Sequence, residues 1–242
     1  MLSRGDRTLP ASLSIGACMR FLALSLALVG SAPALPAEGS LQRDLGSCAA
    51  EQSKLAPFNG FISAGVGDAR FEQASGFADA RGVVPIARNT PFRLASVGKL
   101  FTQVAIGMLV DAGKVRLDES VRRHLPELPE RFAPITIALL LEHRSGVTPM
   151  THLEMDDDPV MAGARTARDL VALVAAKPLS FEPGSRSEYS NGGYLLLGAV
   201  IEAASGKNYR DFVAQQIFAP LGMGSSGFEP GANAAVPMTR LA

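Results

Sequence analysis

Hydrophobic and polar positions alternate in two different ways along this chain, with the change near residue 80. Upstream, FNGFISAGV (58–66) and RFEQASGF (70–77) read as two β-strands, and VGDAR between them carries the turn residues of a hairpin. A modest helix over 40–55 precedes them. ADARGVVPIARNTP (78–91), punctuated by glycine and two prolines, reads as a loop. Downstream the pattern is helical. SVGKLFTQVAIGMLVDAG (96–113) is apolar on nearly every face, which predicts a helix buried on all sides and stopped by Gly113. ITIALLLEHRSG (135–146) predicts a short apolar helix ending at Gly146. TARDLVALVAAKP (166–178) has Thr166 as N-cap, Asp169 at the capping-box position and Pro178 as a stop. GYLLLGAVIEAASG (193–206) predicts an apolar helix ended by Gly206, and Asn208 caps a further one over 209–218, closed by Pro220.

Two strands against this many helices is a physical imbalance. A hairpin of two strands is marginal alone and leaves an open edge. The pattern therefore predicts an α+β chain, with a helical region and an N-terminal antiparallel hairpin that lacks an element to pair with. Pairing of another chain with the open hairpin edge is one consequence of that reading.

Composition narrows the class. With 242 residues, 47% hydrophobic and 19% charged, the chain carries enough apolar side chain for a packed core. Lys plus Arg and Asp plus Glu stand at 23 each, which leaves no electrostatic footprint for nucleic acid or anionic lipid. Met19 and Arg20 precede the apolar run FLALSLALVG (21–30), and SAPALPAEG follows with small residues suited to cleavage after Ala34 or Ala37. That order reads as a secretory signal peptide. The expected organisation is an upstream extension and signal peptide over 1–37 and one domain over 38–242. The expected product is periplasmic or secreted, with no membrane span after cleavage. Residues 1–18 fit no signal pattern, so Met19 reads as a second candidate start. Processing at either alanine removes Cys18 and leaves Cys48 as a single cysteine, for which no internal disulfide is expected.

The candidate chemistry begins with Ser96 and Lys99. Three residues apart on a helix, they share a face with Cβ atoms about 5–6 Å apart. A lysine in an apolar setting loses hydration, and a neutral amine beside a hydroxyl can activate it as a nucleophile. A serine at a helix start also has backbone N–H groups near any developing negative charge. The second feature is SEYSNGG (187–193), in which Tyr189 and Asn191 lie on a glycine-flanked turn. There they would relay a proton and hold a substrate carbonyl. His143, at the end of an apolar helix, reads as structural, because the chain contains no G-x-S-x-G to make a serine–histidine triad. His152, Glu154 and Asp156 to Asp158 match no common metal-site spacing and read as a solvated loop. No metal and no cofactor is expected.

Four ordered phrases give the residues a family likeness: NTPFRLASVGK (89–99), LLEHRSG (140–146), YSN (189–191) and IFAPLGMG (217–224). Together they resemble the serine hydrolases of the beta-lactamase and penicillin-binding-protein superfamily. The nearest branch is that of class C beta-lactamases, D-alanyl-D-alanine carboxypeptidases and esterases. The resemblance implies an α+β, beta-lactamase/transpeptidase-like fold, a helical region plus an antiparallel sheet of which only the N-terminal hairpin is present. It implies Ser96 as the acylated nucleophile, Lys99 and Tyr189 as partners in general base and acid catalysis, and Asn191 as the residue that positions the substrate carbonyl. A small-molecule or peptide substrate with an amide, ester or β-lactam bond follows. The family also carries a [KH]-[ST]-G triplet on a later strand, and none follows Asn191 here. The expectation is a domain whose C-terminal strands and last helix lie outside this sequence. Such a chain would be weakly active, or would bind a ligand or partner without turnover.

Overall fold

The computed structural model describes residues 38–55, 58–150, 159 and 163–228. The predicted leader and the acidic run 152–158 lie outside the described residues. Two compact units part at Phe92 and Arg93.

The first unit holds α1 (Glu38–Leu55), β1 (Gly60–Val66) and β2 (Ala69–Ser75). The strands pair antiparallel with Gly60 opposite Ser75 and Val66 opposite Ala69. The buried ring of Phe71 on β2 lies against α1 at Gly46, so one face of the hairpin is covered by the helix. Among the described residues the sheet has these two strands. The loop beyond is organised by Asp79, whose carboxylate accepts the backbone N–H groups of Val83 and Val84 at 2.9 and 2.8 Å. The cysteine expectation concerns the chain after processing, and the intact chain differs from it. Cys48 is disulfide-bonded. The expectation of a lone thiol presumes that Cys18 leaves with the leader, whereas the intact chain has both cysteines; Cys18 lies outside the described residues.

The second unit is helical. A 3-10 turn (Ala95–Gly98) runs into α2 (Lys99–Asp111). Then follow α3 (Ile137–Leu141), α4 (Val171–Ala175), α5 (Asn191–Ser205) and α6 (Tyr209–Val213), which ends in a π turn over Ala214–Phe218. α5 is the axis of the unit and touches α2, α3, α4 and α6. Leu196, Leu197 and Ile201 on it are fully buried, each worth about 1.5–3 kcal/mol of transfer free energy. Both its ends are capped, the C-terminal one by the glycine that the sequence suggests. Ser190 Oγ accepts the Gly193 N–H, and Gly206 takes the left-handed conformation with φ 71°. The reciprocal bonds of the predicted capping box are present, Asp169 accepting the Thr166 N–H at 2.9 Å while Thr166 Oγ1 accepts the Asp169 N–H at 3.2 Å. Of the helix expected over 166–178, however, the chain forms a 3-10 turn over Arg168–Leu170, with Ala167 at the cap position, and then α4.

Two further helix predictions need correction. The segment expected to be helical over 135–146 contains only Ile137–Leu141, capped by Thr136. It stops because His143 adopts φ 57° and Gly146 φ 74°, which turn the chain away from the helix axis. The segment 96–113 is not buried on all sides. Thr102, Ala105, Ile106 and Leu109 of α2 face the core, whereas Val97, Leu100 and Val104 are 62, 55 and 43% exposed. These three recur at helical spacing and leave an apolar stripe open along one side of α2.

Between α2 and α3 the chain makes no long helix, yet it supplies much of the core. Val115, Val121, Leu125, Leu128, Phe132 and Ile135 are all almost fully buried. Two 3-10 turns and the hydrogen bonds Val121 N–H to Ile135 O and Ile137 N–H to Glu119 O close this stretch on itself.

Candidate active site

The site is built where the start of α2 meets the start of α5. Ala95, just before Ser96, has φ 46°. This conformation is strained for a residue with a Cβ and lies at the turn that presents Ser96. Ser96 is exposed on the 3-10 turn, and Lys99, the first residue of α2, is half-buried beneath it. The predicted 96/99 pair is in contact, with Lys99 Nζ 3.4 Å from Ser96 Oγ.

Folding brings the second predicted pair to the same place from 92 residues away. The Tyr189 hydroxyl donates to Ser96 Oγ at 2.7 Å. Lys99 Nζ donates to Asn191 Oδ1 at 2.8 Å. The amide of Asn191 is held in turn, because its Nδ2 donates to the Met150 carbonyl at 2.7 Å. Asn191 is not in the turn before the helix, as the sequence suggests, but is the first residue of α5, with Ser190 as the cap. All four candidate residues therefore lie within one hydrogen-bonded cluster.

The electrostatics follow from that cluster. Burial pushes the Tyr189 phenol up, but hydrogen bonding with Lys99 and Ser96 and the Lys99 charge outweigh it, so its pKa lies below the ordinary tyrosine value. Lys99 Nζ also lies 4.8 Å from the centre of the Tyr189 ring and 5.5 Å from that of Tyr194, within cation–π range. A phenol beside an ammonium and a serine hydroxyl is an arrangement for moving one proton between two oxygens.

Three contributors carry little or no signal in the sequence. Met150 acts through its backbone carbonyl, which leaves no mark there. Tyr194 donates to the Leu141 carbonyl at 3.1 Å and accepts from Gln103 Nε2 at 2.8 Å, fixing a ring under Lys99. Gln103 falls one helical turn after Lys99, and that spacing is the one available signal. His143, expected to be structural, does pack its ring against two tyrosines, with centroid distances of 4.6 Å to Tyr189 and 5.0 Å to Tyr194.

Comparison with known proteins matches residues 60–242 to the beta-lactamase family. The chain belongs to the beta-lactamase family. Within it, the chain is 35% identical over 172 residues to a penicillin-binding protein of Bacillus subtilis, covering 69% of this chain and 37% of that protein. It is 35% identical over 176 residues to the esterase EstB of Burkholderia gladioli, covering 67% and 44%. Among solved structures, a penicillin-binding protein from Bacillus halodurans superposes with a TM-score of 0.66 at 31% identity, over 77% of this chain and 60% of that one. A D-amino acid amidase from Ochrobactrum anthropi superposes with a TM-score of 0.59 at 32% identity, over 72% and 48%. This beta-lactamase-family chain thus spans less than half the length of the two curated relatives. The helical region with its two-stranded antiparallel sheet agrees with the fold implied by the sequence phrases.

Proposed function

We propose that this chain is an exported serine hydrolase that forms an acyl-enzyme on Ser96, acting on an amide, an ester or a β-lactam. The observation that carries the reading is the pair of contacts on Ser96 Oγ, from the Tyr189 hydroxyl at 2.7 Å and Lys99 Nζ at 3.4 Å. Tyr189 in its phenolate form accepts the Ser96 proton as Oγ bonds to the substrate carbonyl carbon. That proton passes to the leaving nitrogen or oxygen as the old bond to carbon breaks. Water then attacks the acyl-serine, releasing the acid and returning a proton to Ser96. Lys99 favours the phenolate by its charge. Asn191 holds Lys99 in place and keeps one amide hydrogen, beyond its bond to Met150, for a substrate carbonyl.

The relatives support the general reaction, since they include penicillin-binding proteins, an esterase and an amidase. The exported state rests on the signal-like pattern before residue 38. Among the described residues no helix is long and apolar enough to cross a membrane. Intact-mass measurement after exposure to a fluorophosphonate, a penicillin and p-nitrophenyl butyrate tests the reading. The expected result is a single adduct or turnover that Ser96→Ala abolishes. A chain that takes no adduct from any of the three is instead a binding member of the family without turnover.

A further inference from the structure

His143 contacts Tyr189 and both of its chain neighbours. Its backbone carbonyl accepts the Glu188 N–H at 2.9 Å, and its ring Nδ1 accepts the Ser190 N–H at 3.1 Å. The residues on both sides of Tyr189 are therefore tied to one histidine. Its ring also lies on the Tyr189 ring, tilted by 35°. It also meets the ring of Tyr194, tilted by 31°, whose hydroxyl is anchored to Leu141 and Gln103. The segment around His143 is itself fastened, because Gly146 O accepts the Ser180 N–H and Arg144 O the Gly184 N–H, both at 2.8 Å. This ladder leaves the Tyr189 backbone little freedom to shift without His143.

We infer that His143 is a positioning residue: in its neutral form it holds the Tyr189 hydroxyl on Ser96, and protonation of Nδ1 releases it. An Nδ1 that accepts from Ser190 carries no hydrogen, so the ring proton sits on Nε2. Protonation would set a second N–H against the Ser190 N–H and place a cation beside Lys99. Burial and then the Lys99 charge hold the imidazole below its ordinary pKa of 6.5, which preserves the acceptor at neutral pH. The groups around the ring are Lys99 from α2, Tyr189 from the turn and Tyr194 from α5. Nearby carboxylates are engaged elsewhere, Glu142 with Arg144 at 3.4 Å and Glu188 with Arg186 at 2.6 Å.

The inference rests on the acyl-transfer reading of Ser96, and its test has one arm that does not. In the full chain, His143→Asn and His143→Gly both tolerate the backbone angle of 57°. Asparagine keeps an acceptor at the position of Nδ1, and glycine keeps none. The rate of fluorophosphonate adduct formation on Ser96 is read against reagent concentration and pH. His143→Asn is expected to stay within about threefold of wild type above pH 6.5 and, since it cannot titrate, to lose only the further fall in rate below that pH which His143 adds to the limb set by the Tyr189 phenol. His143→Gly is expected to lose about 10- to 100-fold in limiting rate with reagent affinity unchanged, the scale expected when a reacting group moves by about 1 Å. Equal limiting rates for the two variants, or the same further fall below pH 6.5 in His143→Asn as in wild type, overturn the inference. The second arm titrates the Tyr189 phenol by ultraviolet absorbance, assigned by difference from Tyr189→Phe. Its pKa is expected to rise in His143→Gly as the contact with Lys99 and Ser96 loosens, and an unchanged titration counts against the proposal. If wild-type Ser96 takes no adduct, the hydrolase reading fails, and this titration alone decides whether His143 orients Tyr189.

Discussion

Replacing Gly146 by alanine should unfold the helical unit at a much lower temperature, and the size of the effect can be worked from the backbone. Gly146 has φ 74°, and a Cβ there would lie 2.1 Å from the Phe181 carbonyl oxygen and 3.2 Å from its carbon. The left-handed angle alone disfavours alanine by about 1–2 kcal/mol. Relieving the overlap requires the two backbone segments to part by roughly 1 Å, and overpacking of that kind typically destabilises by about 1–3 kcal/mol. The segments cannot part freely, since Ser180 N–H bonds Gly146 O at 2.8 Å at the same rung. The total is about 2–5 kcal/mol, or roughly 4–20 °C in melting temperature for a domain of this size. Gly107 supplies the control. It lies inside α2 without a positive φ, and a Cβ added there would meet nothing within 4 Å. There alanine should stabilise by about 0.5–1 kcal/mol through lost backbone entropy. Thermal unfolding followed by circular dichroism compares the two. If Gly146→Ala melts within about 2 °C of Gly107→Ala, the 143–147 and 179–190 segments are not joined as described.

Further outcomes follow from the same contacts. Tyr189→Phe should lower the rate of Ser96 acylation by about 10²–10⁴, the range of general acid–base catalysis, while leaving the melting temperature within a few degrees; a rate within tenfold of wild type would remove Tyr189 from the chemistry. Because His143 has its pKa depressed below 6.5 in the folded chain, the unfolded chain binds more protons in that window. The stability contributed by the neutral ring is full above pH 6.5 and is lost as pH falls through the folded value, so urea midpoints should drop across that range in wild type and less in His143→Asn. Ser190→Ala removes the α5 cap and a hydrogen bond of 3.0 Å to Gly193, which should lower stability by about 1 kcal/mol in urea melts. Leu100→Ser with Val104→Ser should reduce binding of a hydrophobic dye with a melting shift of only a few degrees, since both side chains are already exposed; a large drop would show that the stripe is covered in solution.

Much of the local structure is legible in the chain because it is written in nearest neighbours. The hairpin, the Thr166–Asp169 capping box, the Asn208 cap and the Gly206 stop each depend on residues a few positions apart. The pairing of Ser96 with Lys99 is legible for the same reason, since one turn of helix sets their distance. Tyr189 and Asn191 can be named from their phrase, but their approach to Ser96 cannot be derived from spacing along the chain. It depends on α5 packing across α2, which is settled by the burial of Leu196, Leu197, Ile106 and their neighbours. The burial of α2 is overestimated because periodicity reports which side chains are apolar and not which neighbour meets them. The same limit hides the core between α2 and α3, where Val121, Leu125 and Phe132 sit in short turns with no period to detect. His143 shows the division most plainly. By itself the chain places it at the end of a short apolar segment, next to a turn. That its carbonyl and its ring would hold both flanks of Tyr189 is decided only when residues 143 and 190 meet, because hydrogen bonds across 47 positions are made by the packed core and not by the local sequence.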